Sequence, residues 1–220
     1  MISDNSAPTT GGLRAGARAH SPQQVARIPL VGTWLLIGAD FFFVLPLFFA
    51  FFFLQQANND GMWQPKGVHP PNWALGAAVF ALVAIGVLLA QSGLKNLHNQ
   101  STLANFSNTG RAAAALLLGS VVINIWQLSH VGYGISSGAY ASCFFAMQIV
   151  LTIQVAVLAL WVLSLANRAG YESKHPIPMP DPDSDQEVAT PISALARSYE
   201  MFALFLGAVV LLGWVVCYYL

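Results

Sequence analysis

The stretch that decides the fold is residues 31–54, VGTWLLIGADFFFVLPLFFAFFFL. At about 1.5 Å per residue, a helix of this length crosses the roughly 30 Å hydrocarbon core of a lipid bilayer. Its one carboxylate, Asp40, would then lie near the middle of the membrane, where an ionised carboxylate costs about 2.5–3.5 kcal/mol. We therefore expect Asp40 to be protonated or to have a hydrogen-bond partner on another helix.

The composition of the chain is that of a polytopic membrane protein. Of its 220 residues, 56% are hydrophobic and 8% are charged, which is far from the soluble average. The formal net charge is zero, so the sequence gives no reason to expect a nucleic-acid partner. Residues 1–28 are polar and lack the apolar segment of a signal peptide, which predicts a flexible tail before a membrane domain of residues 29–220.

Five apolar segments predict an all-α bundle of five transmembrane helices, at about 31–54, 73–90, 112–131, 140–165 and 199–220. The connections then alternate between the two sides of the membrane. Eight of the nine Lys and Arg residues fall on the side of the N-terminus, and only Lys66 falls on the other. The positive-inside rule therefore predicts a cytoplasmic N-terminus and a C-terminus outside.

The sequence predicts no catalytic, cofactor-binding or metal-binding residues in this chain. A haem held in a membrane bundle needs axial ligands, usually histidines, inside the helices. All five histidines fall in the tail, in connections or at the end of a predicted span: His20, His69, His98, His130 and His175. A copper or zinc site is not expected either, because no group of Cys, His and carboxylate residues shares one depth.

Two roles for Asp40 are open. It could bind a proton or cation in a small stand-alone transporter, although five spans do not divide into two inverted repeats. It could instead fix helix packing, which we favour because polar side chains are sparse in the other spans. The possible partners in the third and fourth spans are Asn124, Gln127, Gln148 and Gln154.

The first span resembles subunit III of the haem-copper oxidases in its five-helix bacterial form. Residues 32–54 are similar to that family's pattern GxWLFIxSExxFFxxLFxAYF. Asp40 takes the place of the family's intramembrane Glu, and Trp34, Phe42 and Ala50 also match.

The resemblance continues in two later segments. The connection GMWQPKGVHPPN resembles the family's W-P-x-G loop through Trp63, Pro65, Gly67 and Pro70. The segment GAYASCFFAMQIVLTIQV is similar to the family's fourth-span sequence through Tyr140, Ser142, Phe144, Phe145 and Val155. The chain departs from the family where two histidines are expected, because Leu151 and Gln154 stand in their places.

The resemblance implies a non-catalytic subunit of a respiratory terminal oxidase in the bacterial plasma membrane. Such a subunit forms a hetero-oligomer with catalytic subunit I, which carries the haem and copper, and with the other oxidase subunits. It supports the stability of the complex and proton uptake, and it holds phospholipids in a cleft. In this chain we expect Asp40, Trp34, Phe42, Ala77 and Ala81 to form that cleft, between the first two helices and the rest. An accessory subunit of a nitric oxide reductase is the closest alternative.

Overall fold

The chain forms five helices and, within the described residues, no strands. The structure is a computed structural model that describes residues 22–58, 62–95, 97, 100–175 and 192–219. The helices are α1 (Pro22–Ala57), α2 (Trp73–Leu94), α3 (Gln100–Ser129), α4 (Ala139–Lys174) and α5 (Ile192–Tyr219). Each contains a segment long and apolar enough to cross a membrane, so the prediction of an all-α, five-span membrane protein is confirmed.

α3, α4 and α5, like α1, extend well beyond the predicted spans. α3 begins at Gln100 instead of residue 112, α4 continues to Lys174 instead of residue 165, and α5 begins at Ile192 instead of residue 199. Hydropathy marks only the part of a helix that lies in hydrocarbon, whereas backbone hydrogen bonding continues into the aqueous region. The ion pair between Arg168 Nε and Glu172 Oε1 at 2.7 Å, one turn apart, lies in such an extension of α4.

α1 begins at Pro22 and runs without interruption through Pro29 and Pro46. The sequence analysis placed the end of the tail at residue 28, so α1 starts earlier than expected. Each proline removes one backbone donor, but the flanking turns retain theirs and the helix continues. Residues 1–21 of the predicted tail lie outside the described residues.

α1 is the most peripheral helix of the bundle. α3 packs along both α2 and α4, and α5 contacts α1, α2 and α4. α1 contacts α4 and α5, and only 11% of its apolar window is buried inside the protein. The core is built around α4, with Tyr140, Phe144 and Leu158 fully enclosed.

Glycines set the closest helix crossings. A side chain on Gly110 of α3 would meet Ala166 Cβ of α4 at 2.9 Å, and one on Gly76 of α2 would meet the Tyr218 ring of α5 at 2.6 Å. Of the two α2 residues expected at the lipid cleft, Ala77 is half-buried and Ala81 is exposed. The close approach of α2 to α5 depends on Gly76, one residue before Ala77.

The connections alternate between the two ends of the bundle. At one end, here named the Trp63 end, the backbone N–H of Tyr140 donates to the carbonyl of Trp63 at 3.2 Å, and the Tyr140 hydroxyl donates to the Cys217 carbonyl at 2.7 Å. These bonds join the α1–α2 connection, the start of α4 and the end of α5. The opposite end, the Arg168 end, holds the starts of α1, α3 and α5.

Candidate functional site

Asp40 is hydrogen-bonded to α4. Gln154 Nε2 donates to Asp40 Oδ1 at 2.6 Å. Both residues lie near the middle of their helices. The carboxyl group is therefore a fixed link between the peripheral helix α1 and the central helix α4.

The second oxygen of each group in this pair is unsatisfied. Asp40 Oδ2 and Gln154 Oε1 are both buried and have no hydrogen-bond partner among the described residues. Two acceptors cannot satisfy each other, but a proton on Oδ2 would turn it into a donor. A neutral carboxylic acid is thus the form of Asp40 that matches a carboxamide partner, and this form avoids the cost of a charge in the membrane.

Two other candidate partners of Asp40, Asn124 and Gln148, form a separate group with Thr152, which we call the amide cluster. Asn124 Nδ2 donates to Gln148 Oε1 at 3.1 Å and to Thr152 Oγ1 at 2.6 Å. Gln127 is 4% exposed, and neither end of its amide has a described hydrogen-bond partner. Of the four partners considered for Asp40, the structure pairs only Gln154 with it.

Helix geometry explains why Gln154 bonds to Asp40 whereas Gln148 and Thr152 belong to the amide cluster. Gln148 and Thr152 are four residues apart and so lie on one face of α4, toward α3. Gln154 follows Thr152 by two residues, which turns it about 200° around the helix at 3.6 residues per turn. α4 therefore presents polar groups to α3 on one side and to α1 on the other.

Three aromatic residues join α1, the α1–α2 connection and α4. We call Phe51, Trp63 and Tyr140 the aromatic anchor. Ring centroids are 5.0 Å apart for Phe51 and Trp63 and 5.7 Å apart for Trp63 and Tyr140, both in edge-to-face geometry, which is favourable for aromatic pairs. The sequence pattern identified Trp63 and Tyr140 separately but gave no signal that they meet.

Two glycines shape the chain around the aromatic anchor. Gly67 has a φ of 91° and Gly138 a φ of 144°, in the region that residues with a side chain rarely adopt. A Cβ on Gly138 would also come within 2.8 Å of the Pro65 ring. The α1–α2 connection thus packs against Gly138, the residue that precedes α4. Val68 of this connection is buried.

A groove of about 300 Å³ lies between α1 and α5. Its wall is wholly apolar, and its α1 side extends from Phe41 to Phe52, about 16 Å along the helix axis. The lining residues are Phe41, Val44, Leu45, Phe48, Phe52, Phe205, Val209, Leu212 and Val216. We call this feature the α1–α5 groove.

The residues expected to form a lipid cleft do not line this groove. Trp34 and Phe42 are 63% and 74% exposed, on parts of α1 that face away from the bundle. Ala77 and Ala81 belong to α2, which packs against α3 and α5. The sequence analysis placed the cleft between the first two helices and the rest but did not name α5, because apolar periodicity does not specify which helix lies beside α1.

Within the described part of the chain, no group of three or more His, Cys, Asp or Glu residues could hold a metal ion. His69 lies in the α1–α2 connection, His130 directly follows α3, and His175 directly follows α4. The His130 ring stacks on Trp126 with centroids 4.7 Å apart. The other two histidines of the sequence analysis, His20 and His98, fall outside the described residues.

Comparisons with known protein families and with curated proteins find no match to this chain. The resemblance in the first span, its loop and the fourth span therefore stays a prediction.

Proposed function

We propose that this chain is a non-catalytic subunit III of a respiratory haem-copper terminal oxidase, which reduces oxygen and pumps protons. It packs in the bacterial plasma membrane beside a catalytic subunit I that carries the haem and copper, with its N-terminus in the cytoplasm. Its contributions are stability of the complex, phospholipid binding and support of proton uptake.

The observation that carries this proposal is that the residues of the resemblance join separate elements. Asp40 of the first-span pattern bonds α1 to α4. Trp63 of the loop pattern contacts Tyr140 of the fourth-span pattern through its ring and its backbone carbonyl. Residues from the first-span, loop and fourth-span patterns thus all take part in contacts that hold α1 and its connection to α4.

The partner of Asp40 also supports the proposal. Gln154 stands where the resemblance leads us to expect a histidine. A glutamine amide and a neutral imidazole can each donate one N–H to a carboxyl oxygen. The exchange therefore keeps the type of hydrogen bond that a carboxyl group inside the first span requires.

The α1–α5 groove supports the proposed lipid binding. Its wall has no polar surface, so it offers nothing to a headgroup and suits an acyl chain. Its length of about 16 Å along α1 is a large part of one hydrocarbon leaflet, since the full hydrocarbon core is roughly 30 Å thick. Lipid would thus be held between α1 and α5.

The distribution of basic residues supports the proposed orientation. Arg111, Arg168, Lys174 and Arg197 all lie toward the Arg168 end of the helices, whereas Lys66 lies in the connection at the Trp63 end. The positive-inside rule places the Arg168 end in the cytoplasm.

Native purification tests this proposal. The tagged full-length chain is extracted from its own membrane in a mild detergent, followed by an absorption spectrum and identification of the co-purifying proteins and lipids. We expect haem absorption, a large polytopic partner and bound phospholipid. Reduction of oxygen by the preparation would support the terminal oxidase, and reduction of nitric oxide alone would assign the chain to a nitric oxide reductase.

A colourless preparation of this chain alone would contradict the proposal. Asp40 would then need to be tested as the ion-binding residue of a transporter, by measuring proton or cation flux in vesicles for the wild type and for Asp40→Asn.

A further inference from the structure

A second cavity, of about 30 Å³, lies inside the bundle and is bounded by α2, α3, α4 and α5. Its α2 and α5 walls are mainly apolar. Its α3 and α4 walls carry four polar side chains, each less than a tenth exposed: Ser120, Asn124, Gln148 and Thr152. A polar wall this deep in a membrane bundle requires hydrogen-bond partners.

The polar wall is only partly satisfied by its own hydrogen bonds. Asn124 uses its amide nitrogen for the bonds to Gln148 and Thr152, and Thr152 Oγ1 donates to the Gln148 carbonyl at 2.5 Å. Asn124 Oδ1 accepts no hydrogen bond from the described residues. The amide cluster therefore presents a free acceptor beside the cavity.

The opposite wall supplies a free donor. Trp214 of α5 lines the cavity, and its Nε1 is buried without a described hydrogen-bond partner. Its indole ring is stacked on Phe80 of α2, with centroids 5.8 Å apart and an interplanar angle of 7°. This packing fixes the orientation of the ring, so the N–H cannot easily turn toward another acceptor.

We propose that this interior cavity is a binding site for ordered water, which accepts a hydrogen bond from Trp214 Nε1 and donates to the amide cluster. A cavity needs a volume of about 10–15 Å³ and two to four polar partners to hold one water, whereas apolar cavities stay dry. A volume of about 30 Å³ fits one or two waters. The α1–α5 groove, about ten times larger in volume, is better suited to an acyl chain.

The site lies in the half of the bundle next to the Trp63 end. Gly76, near the start of α2, and Tyr218, near the end of α5, both line it. Gln127, three residues beyond Asn124 toward that end of α3, is buried with both amide atoms unpaired. The unsatisfied polar groups of the interior thus continue toward the Trp63 end, the direction from which water would enter.

The test is nuclear magnetic resonance of the full-length protein, labelled with ¹⁵N at its tryptophan indoles, in lipid nanodiscs. Trp214→Phe identifies the Trp214 signal by its loss and retains an aromatic ring against Phe80. We expect the Trp214 indole proton to show a cross-peak to water. The exposed indole of Trp34, which faces away from the bundle, serves as the reference for contact with lipid.

Filling the cavity provides the matched control. Ser120→Leu places a larger apolar side chain at the lining, and Val79→Leu does the same from α2 should the first variant not fold. We expect the Trp214–water cross-peak to fall several-fold in the filled protein. The proposal is overturned by a wild-type Trp214 that shows no water cross-peak, by a cross-peak to lipid methylenes in its place, or by a water cross-peak that filling leaves unchanged.

Discussion

α1 and the α3–α4 pair are both apolar, yet they are held in the bundle in different ways. α3 and α4 contact each other along most of their length and cross closely at Gly110. α1 is largely exposed and is joined to the bundle by the Asp40–Gln154 hydrogen bond, by the aromatic anchor and by its contact with α5.

The difference shows what stabilises a peripheral helix in a membrane. Lipid tails are as apolar as leucine, so there is no hydrophobic driving force between helices inside the bilayer. Association depends on close packing and on specific polar or aromatic contacts. α3 and α4 are held by packing along most of their length, whereas α1 is held by a few specific contacts. Substitutions at the contacts of α1 and at the α3–α4 crossing should distinguish these two kinds of association.

The largest effect is expected at the aromatic anchor. Phe51 is 0% exposed and touches both Trp63 and Tyr140, so Phe51→Ala leaves a cavity at the junction of α1, the connection and α4. A buried Phe→Ala substitution costs about 3 kcal/mol or more, equivalent to ~6–12 °C in unfolding temperature for a chain of this size. Thermal unfolding of the purified protein measures this.

Phe42→Ala on the same helix is the matched control for Phe51→Ala. Phe42 is 74% exposed, so its loss should change the unfolding temperature by less than about 2 °C. Equal effects of the two substitutions would show that the aromatic anchor does not hold α1.

A smaller effect is expected from Gly110→Leu in α3. The new side chain would collide with Ala166 of α4, whose Cβ lies 2.9 Å from the position of an added Cβ. Overpacking of this kind costs about 1–3 kcal/mol. We expect a lower unfolding temperature and a smaller yield of folded protein, measured by gel filtration after extraction.

Gly119→Leu, also in α3, is the control, because no atom lies within 4 Å of an added Cβ there. It should leave the yield and the unfolding temperature close to those of the wild type. A similar loss in both variants would mean that α3 is sensitive to glycine replacement in general and not to its crossing with α4.

The smallest effect on stability is expected from substitution of Asp40. For this residue, the lifetime of activity during turnover is a more sensitive measurement than thermal unfolding. Asp40→Leu removes one interhelical hydrogen bond, worth about 1 kcal/mol in membrane proteins, and leaves Gln154 without a partner. For the oxidase complex proposed above, we expect weaker assembly or a shorter lifetime of activity during turnover, with the haem content of the proposed catalytic subunit unchanged.

Asp40→Asn separates hydrogen bonding from charge. An asparagine amide can accept from Gln154 Nε2 and donate to Gln154 Oε1, so it satisfies both atoms of the partner. The turnover lifetime of this variant should therefore stay close to that of the wild type. An Asn variant as impaired as the Leu variant would show that the ionisable group itself is required.

The amide partner of Asp40 shows which part of the site could be predicted from the sequence. Because an intramembrane carboxyl group needs compensation, the sequence predicted a polar partner and reduced the choice to four side chains. It could not select Gln154, since the rotation of α4 relative to α1 depends on packing along the whole bundle. The same reason explains why Gln148 belongs to the amide cluster with Asn124.

The sequence by itself determined the five apolar segments long enough to span a membrane and the position of Asp40 near the middle of the first, because length and apolar character belong to each segment alone. Tertiary structure alone decided that α5 lies beside α1 and that Phe51, Trp63 and Tyr140 meet. It also decided that Trp214 lines the same cavity as the amide cluster. These features join residues far apart in the chain, and their geometry follows from how the five helices pack against one another.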